Sequence, residues 1–164
     1  MNGVWRTEAK LVLTDGASGD YFGYDVALSG DTAIIGSPYD YNIGSVYVFV
    51  RRDDGTWELV QKITPADGEA YDYFGRSVAI SGDTAVIGAR FDDVNGSASG
   101  SGYVYTKIDG KWTENVKIVP ENGEADDQFG YSVAISGSTA LFGAYNGGEE
   151  NGGSAYIVDD LCVP

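Results

Sequence analysis

Carboxylates dominate the side chains that could do chemistry in this chain. Twenty-five Asp and Glu stand against ten Lys and Arg, with no histidine and a single cysteine. The missing histidine removes imidazole acid–base chemistry, Ser-His-Asp triads and most zinc sites. Cys162 has no histidine to activate it and no second cysteine to bridge to within the chain. It reads as an inert thiol or as a bridge to another chain. No Gly-x-x-x-x-Gly-Lys run is present to cradle a phosphate. Paired carboxylates remain, and in the right geometry they hydrolyse glycosides. Here they recur at fixed intervals, as scaffold features do, whereas a catalytic pair is usually unique. The chain is therefore read as non-enzymatic.

Two sets of acids stand out. Asp20, Asp72 and Asp127 each lie two residues before a Phe-Gly pair. A repeated Asp in such a place either bonds nearby backbone N–H groups and fixes a turn or contributes to a shared cation site. The second set combines aromatic rings with acids: Tyr39-Asp40-Tyr41, Phe91-Asp92-Asp93, and Tyr145 followed by Glu149. Such clusters could stack on and hydrogen-bond a sugar or a basic peptide. The alternative is a set of solvated loop tips with the aromatic tucked against a neighbouring unit.

The elements that carry these residues follow from an internal repeat. Trp5, Trp57 and Trp112 recur in step with Phe22-Gly23, Phe74-Gly75 and Phe129-Gly130, each Trp 17 residues before its Phe. After each Phe-Gly comes an apolar run ending in Ser-Gly, at 25–30, 77–82 and 132–137, and a second run at 32–36, 84–88 and 139–143. The links Ser29-Gly30-Asp31-Thr32, Ser81-Gly82-Asp83-Thr84 and Ser136-Gly137-Ser138-Thr139 suit tight hairpin turns. A third run carries alternating aromatics (46–49, 103–105, 155–158), and a fourth begins at each Trp. Glycine and β-branched residues break every window long enough for a helix. Four short antiparallel strands per repeat make an all-β meander of β-propeller-blade size, with repeats of about 5–56, 57–111 and 112–160 in one domain spanning 1–164.

The phased Phe-Gly pairs, together with Gly36-Ser37-Pro38, Gly88-Ala89-Arg90 and Gly143-Ala144-Tyr145 downstream, resemble the FG-GAP repeat of the integrin-α amino-terminal propeller and its relatives. The resemblance implies β-propeller blades in an extracellular or cell-surface protein that binds other proteins in adhesion, often with calcium. The Asp-rich calcium loop common in that family has no counterpart here. Its place between the first two strands holds only Ser29-Gly30-Asp31-Thr32 and the equivalents, too short to supply six or more oxygen ligands. If calcium binds, the residues left for it are Asp20, Asp72 and Asp127.

Charge and strand order narrow the partners. A net charge of −15 excludes a nucleic-acid role, which needs a basic stripe, and disfavours anionic membranes. No apolar run has the length of a membrane span, of about 18 residues, and the first residues are not a signal peptide. In a meander the turns alternate between two ends. The loops joining strands two and three, and those joining one repeat to the next, therefore share one end, which carries most of the acids. Asn95-Gly96-Ser97 in one of these loops matches a glycosylation acceptor. The order of strands puts an orphan fourth strand at Trp5 and leaves the last repeat one strand short. Either that strand completes the last blade, or the chain is part of a longer propeller, or two chains join as a six-bladed homodimer. The functions expected are a protein-binding module, a structural subunit of a larger assembly, or a lectin-like glycan binder.

Overall fold

A computed structural model describes residues 7–14 and 16–161. Trp5 and Cys162 lie outside the described residues. The chain forms three antiparallel meanders. The first comprises β1 (Val26–Ser29), β2 (Thr32–Ser37), β3 (Ser45–Arg51) and β4 (Trp57–Ile63). The second comprises β5 (Ser77–Ser81), β6 (Thr84–Ala89), β7 (Ser101–Ile108) and β8 (Lys111–Ile118). The third has β9 (Phe129–Ser136), β10 (Thr139–Ala144) and β11 (Ser154–Val158). The first two are the four-stranded unit expected from the repeat, and the third has three strands among the described residues. The only helical pieces among the described residues are short 3-10 turns at Asp40–Asn42 and Glu149–Asn151.

Two-residue turns at Gly30, Gly82 and Gly137 fix the pairing of the first two strands. Each glycine has a positive φ of 55–60°, the backbone twist that a tight hairpin requires. Registers then repeat from blade to blade: Tyr47 faces Lys62 as Tyr103 faces Lys117, and Val46 faces Ile63 as Gly102 faces Ile118.

Blades pack face to face, and their inner strands β1, β5 and β9 lie side by side. One core lies between the first and second blades, where Ile34, Val46, Val48 and Ile63 meet Phe74, Val78, Tyr103 and Trp112. A second core repeats it between the second and third blades, with Val86 and Val104 against Phe129, Phe142 and Ala140. Phe74 and Phe129 are fully enclosed. Their rings are wedges: Phe74 meets Tyr103 edge-on at 5.2 Å, and Phe129 stacks on Phe142 at 5.1 Å.

The blades approach this closely because glycine faces glycine. A Cβ on Gly36 would run into the carbonyl oxygen of Gly75, and one on Gly88 into that of Gly130. The Gly of each Phe-Gly pair also sits at positive φ, 83° at Gly75 and 78° at Gly130. The inner strands are stitched by polar bonds at the same places. Val78 N–H donates to Asp25 Oδ2 at 2.8 Å and Val133 N–H to Ser77 Oγ at 2.9 Å. Gly82 N–H donates to Ser29 Oγ at 3.0 Å and Gly137 N–H to Ser81 Oγ at 3.1 Å.

The stretch expected as an orphan strand behaves differently. Residues 7–13 form no strand, and among the described residues β11 has no fourth neighbour. Leu11 and Leu13 instead pack on Ile35, Tyr47 and Phe49 of the first blade, and Glu8 pairs with Arg51 at 2.7 Å.

Deleting the wedge should be costly: Phe74→Ala is expected to lose about 3–5 kcal/mol by cavity formation, and Gly88→Ala about 1–3 kcal/mol by overpacking. Urea denaturation of each variant checks both, and a loss below about half a kcal/mol for either would contradict this account of blade packing.

Candidate functional site

The loops at the acidic end are built by the strand ends below them. Asp20, Asp72 and Asp127 occupy the same place in each repeat and make the same bond. Their Oδ2 atoms accept from the backbone N–H three residues earlier, Ala17, Glu69 and Glu124, at 2.7, 2.7 and 2.8 Å. Each therefore closes its own turn, and Asp72 and Asp127 are buried. No group of three or more His, Cys, Asp or Glu side chains that could hold a metal ion occurs among the described residues.

Asp40 and Asp92, expected as solvent-facing loop acids, are inside the protein; this corrects the sequence reading. Both are 3% exposed. Asp40 accepts from the Tyr47 hydroxyl at 2.7 Å and pairs with Lys62 at 2.7 Å. Asp92 lies 3.0 Å from the Tyr103 hydroxyl and 2.6 Å from Lys117, which also pairs with Asp67 at 2.7 Å. The physical reason lies in the register: Tyr and Lys stand opposite each other on the third and fourth strands, and the loop acid folds over them. A carboxylate so far from water needs that pairing. Burial raises the cost of ionising Asp40, but the bonds from Lys62 and Tyr47 outweigh it and hold its carboxyl below the usual range. The Tyr47 hydroxyl is correspondingly pushed up to about 12, by burial first and by Asp40 second. Lys62 and Lys117, each the fifth residue after a Trp, were the sequence signal for these triads.

The aromatic residues come together instead. Tyr39 lies 4.9 Å from Tyr21 and 4.6 Å from Tyr73, and Tyr73 lies 5.5 Å from Phe91. Arg90 covers the Phe91 ring at 4.2 Å and the Tyr131 ring at 5.2 Å, and Tyr131 stacks on Tyr145 at 4.9 Å. A continuous band of π faces thus crosses all three blades, with Arg90 as its cationic link. Arg76, which donates to the Tyr24 hydroxyl, stands beside it. Burial and the nearby Arg76 push the Arg90 guanidinium down from its ordinary pKa, and its Nε is buried with no hydrogen-bond partner among the described residues.

Sequence reasoning named Tyr39, Phe91 and Tyr145 but missed Tyr21, Tyr73, Arg90 and Tyr131. The available signal was the residue before each Phe-Gly: Tyr21, Tyr73 and Gln128 all have positive φ, of 54–56°, which turns them onto the loop end. The three loops are also not equivalent as read. Phe91 N–H donates to the Asp72 carbonyl and Asn146 N–H to that of Asp127, so Asn146, not Tyr145, takes the place of Phe91. Tyr145 stands where Arg90 stands and reaches the band by stacking. Tyr41, Tyr145, Asp93 and Glu149 are exposed at the rim, and Tyr41 receives Lys62 over its ring at 4.9 Å.

The FG-GAP repeat matches this chain three times, at residues 5–49, 57–105 and 112–158. The chain belongs to the FG-GAP repeat family. Repeats of this family build β-propeller modules that are commonly protein-binding and generally non-enzymatic, and they are typical of extracellular or surface proteins. No helix among the described residues is long and apolar enough to cross a membrane.

Asp72 is buried without a cation directly on it among the described residues. Asp72 is pushed up to about 6, chiefly by burial and further by the charge of Asp92, against the bond from Glu69. Because the folded value exceeds the ordinary 3.8, the fold holds this proton more tightly than the unfolded chain does. Its contribution to stability is complete below about pH 4 and is lost as pH rises through about 6. Asp72→Asn should therefore gain in melting temperature relative to the parent as pH rises from about 4 to about 6.5. A gap that stays constant over that range would show that Asp72 does not titrate there.

Proposed function

We propose that this chain is a non-enzymatic protein-binding module that takes its partner on the end formed by the loops between strands two and three and the loops between blades. The observation that supports this reading is the aromatic band from Tyr21 through Tyr39, Tyr73, Phe91 and Arg90 to Tyr131 and Tyr145. Tyrosine and arginine are the residues that concentrate binding energy at protein interfaces, because they offer large contact area at little entropic cost together with a polar group. The unpartnered Arg90 Nε adds a donor that a carbonyl or carboxylate of the partner would satisfy. Around the band stand Glu69, Asp93, Glu124, Asp126, Glu149 and Glu150, all exposed. Such an acidic rim speeds the approach of a basic surface and contributes less to the final affinity. The partner that fits is a protein segment with an apolar or aromatic anchor flanked by Lys or Arg. The setting in which the family usually works, outside the cell or on its surface, is where that partner belongs.

Selection from a displayed random-peptide library tests this. Peptides that combine an aromatic anchor with basic flanks should be enriched, and Tyr73→Ala or Arg90→Ala should weaken their binding about tenfold or more, as loss of an interface anchor does. Enrichment without basic flanks, or binding indifferent to both variants, would remove the site. The stacked Tyr131–Tyr145 pair also suits a sugar ring, and a glycan array run with the same variants separates that reading.

Asp20, Asp72 and Asp127 are assigned to the turns and not to a cation, since each already spends an oxygen on a backbone N–H. Melting temperature and peptide binding should be the same in calcium and in chelator. A calcium-dependent rise of several degrees would return these residues to the metal reading.

A further inference from the structure

Arg76 and Arg90 are places where the middle blade departs from its neighbours. By the spacing that relates the Phe-Gly pairs, Arg76 corresponds to Tyr24 in the first blade and Tyr131 in the third, and Arg90 corresponds to Pro38 and Tyr145. What recurs from blade to blade serves the scaffold, and these two guanidiniums do not recur. Both belong to the middle blade and the groups around them come from all three, so the pair lies within the array and not at its ends.

Their electrostatic setting is unusual in so acidic a chain. Arg51, Arg52, Lys62 and Lys117 each stand on a carboxylate. Arg76 and Arg90 are half-buried and have no carboxylate in ion-pair contact among the described residues, although the chain holds 25 acids. Asp25, next to Tyr24, is committed to the backbone: its Oδ1 accepts from Val26 N–H at 2.9 Å and its Oδ2 from Val78 N–H at 2.8 Å. The two arginines also oppose each other, since the charge of Arg76 is, after burial, a cause of the lowered Arg90 pKa. Like charges brought together and partly desolvated cost free energy, which an anion placed on them offsets.

The bonding groups agree. Arg76 donates to the Tyr24 hydroxyl, and its guanidinium lies 4.6 Å from the Tyr24 ring and 5.9 Å from the Tyr131 ring. The Arg90 guanidinium shares Tyr131, at 5.2 Å, and covers Phe91 at 4.2 Å. Tyr131 is therefore a wall common to both. Aromatic rings hold a guanidinium by its faces and leave the fork of N–H donors in its plane for an acceptor. That fork is under-used at Arg90: Nη1 reaches Gln128 Oε1 only at 3.5 Å, and Nε is buried with no partner among the described residues. A buried donor left unbonded is costly, so the side chain gains by turning toward an acceptor.

Given the loop end as the binding surface, on which this inference rests, we propose that Arg76 and Arg90 form a carboxylate-binding site that receives an Asp or Glu side chain of the protein partner. A carboxylate matches the guanidinium fork and carries a single negative charge. A phosphate dianion would meet more repulsion from a chain of net charge −15. The partner segment then alternates in charge, with an acid on the arginine pair and Lys or Arg outside it against the acidic rim.

Nuclear magnetic resonance of the arginine Nε–H groups tests the site, with sodium acetate as the probe and sodium chloride at equal ionic strength as the reference. The Arg76 and Arg90 signals should move saturably with acetate, while those of Arg51 and Arg52, already paired, should not. Arg76→Gln and Arg90→Lys, both checked for folding by far-UV circular dichroism, should each weaken the acetate response about tenfold, the lysine because it keeps the charge and loses the fork. In the displayed-peptide selection the parent should enrich an Asp or Glu beside the aromatic anchor, and Arg90→Lys should lose that preference. Signals that follow chloride as well as acetate, or that respond more strongly to sodium phosphate, would overturn the carboxylate assignment. Selected peptides without an acid would overturn it while leaving the binding surface in place. An acetate response with no selected peptides at all would count against the binding surface and for the carboxylate site alone.

Discussion

Everything in this molecule depends on how closely one sheet can lie on the next. Gly36 against Gly75, and Gly88 against Gly130, bring two backbones to a distance that no side chain would permit. Only at that distance do the Phe74 and Phe129 rings reach across to fill the space between blades. A four-stranded meander alone has two apolar faces and cannot hide either, so the contact between blades is the stabilising unit and the blade is not.

From that constraint follows the division between what is buried and what is available. The wedge at each junction fixes the start of the inner strand, and the residue before each Phe-Gly is thrown onto the loop end. The result is a platform whose aromatic residues come from different blades but lie within ring-contact distance of one another. The acids nearest the strands are drawn in to neutralise Lys62 and Lys117, while those further out remain in water. The loop end is therefore apolar and cationic along its middle and anionic around it, a distribution that net charge alone conceals.

The same constraint explains the two exposed faces. Among the described residues the first and third blades have a neighbour on one side only, and Val26, Leu28, Leu141 and Ile157 are apolar for the reason that their buried equivalents are.

The blade is legible in the chain alone: its strands, its hairpin turns, the Phe wedges and the membership of a repeat family. These are local or strictly periodic, and a period survives without coordinates. Trp57–Ile63, for instance, is a strand within the limits its alternation marks. Which loop residues are exposed and which are drawn inside is settled by packing instead. Asp40 and Asp93 look alike in the chain, yet one is buried on a lysine and the other is exposed, because the outcome depends on a residue from another strand. Tyr39, Tyr73 and Phe91 are likewise far apart in sequence and are joined only by the approach of one blade to the next, a distance that the chain encodes in its glycines but that only packing reveals.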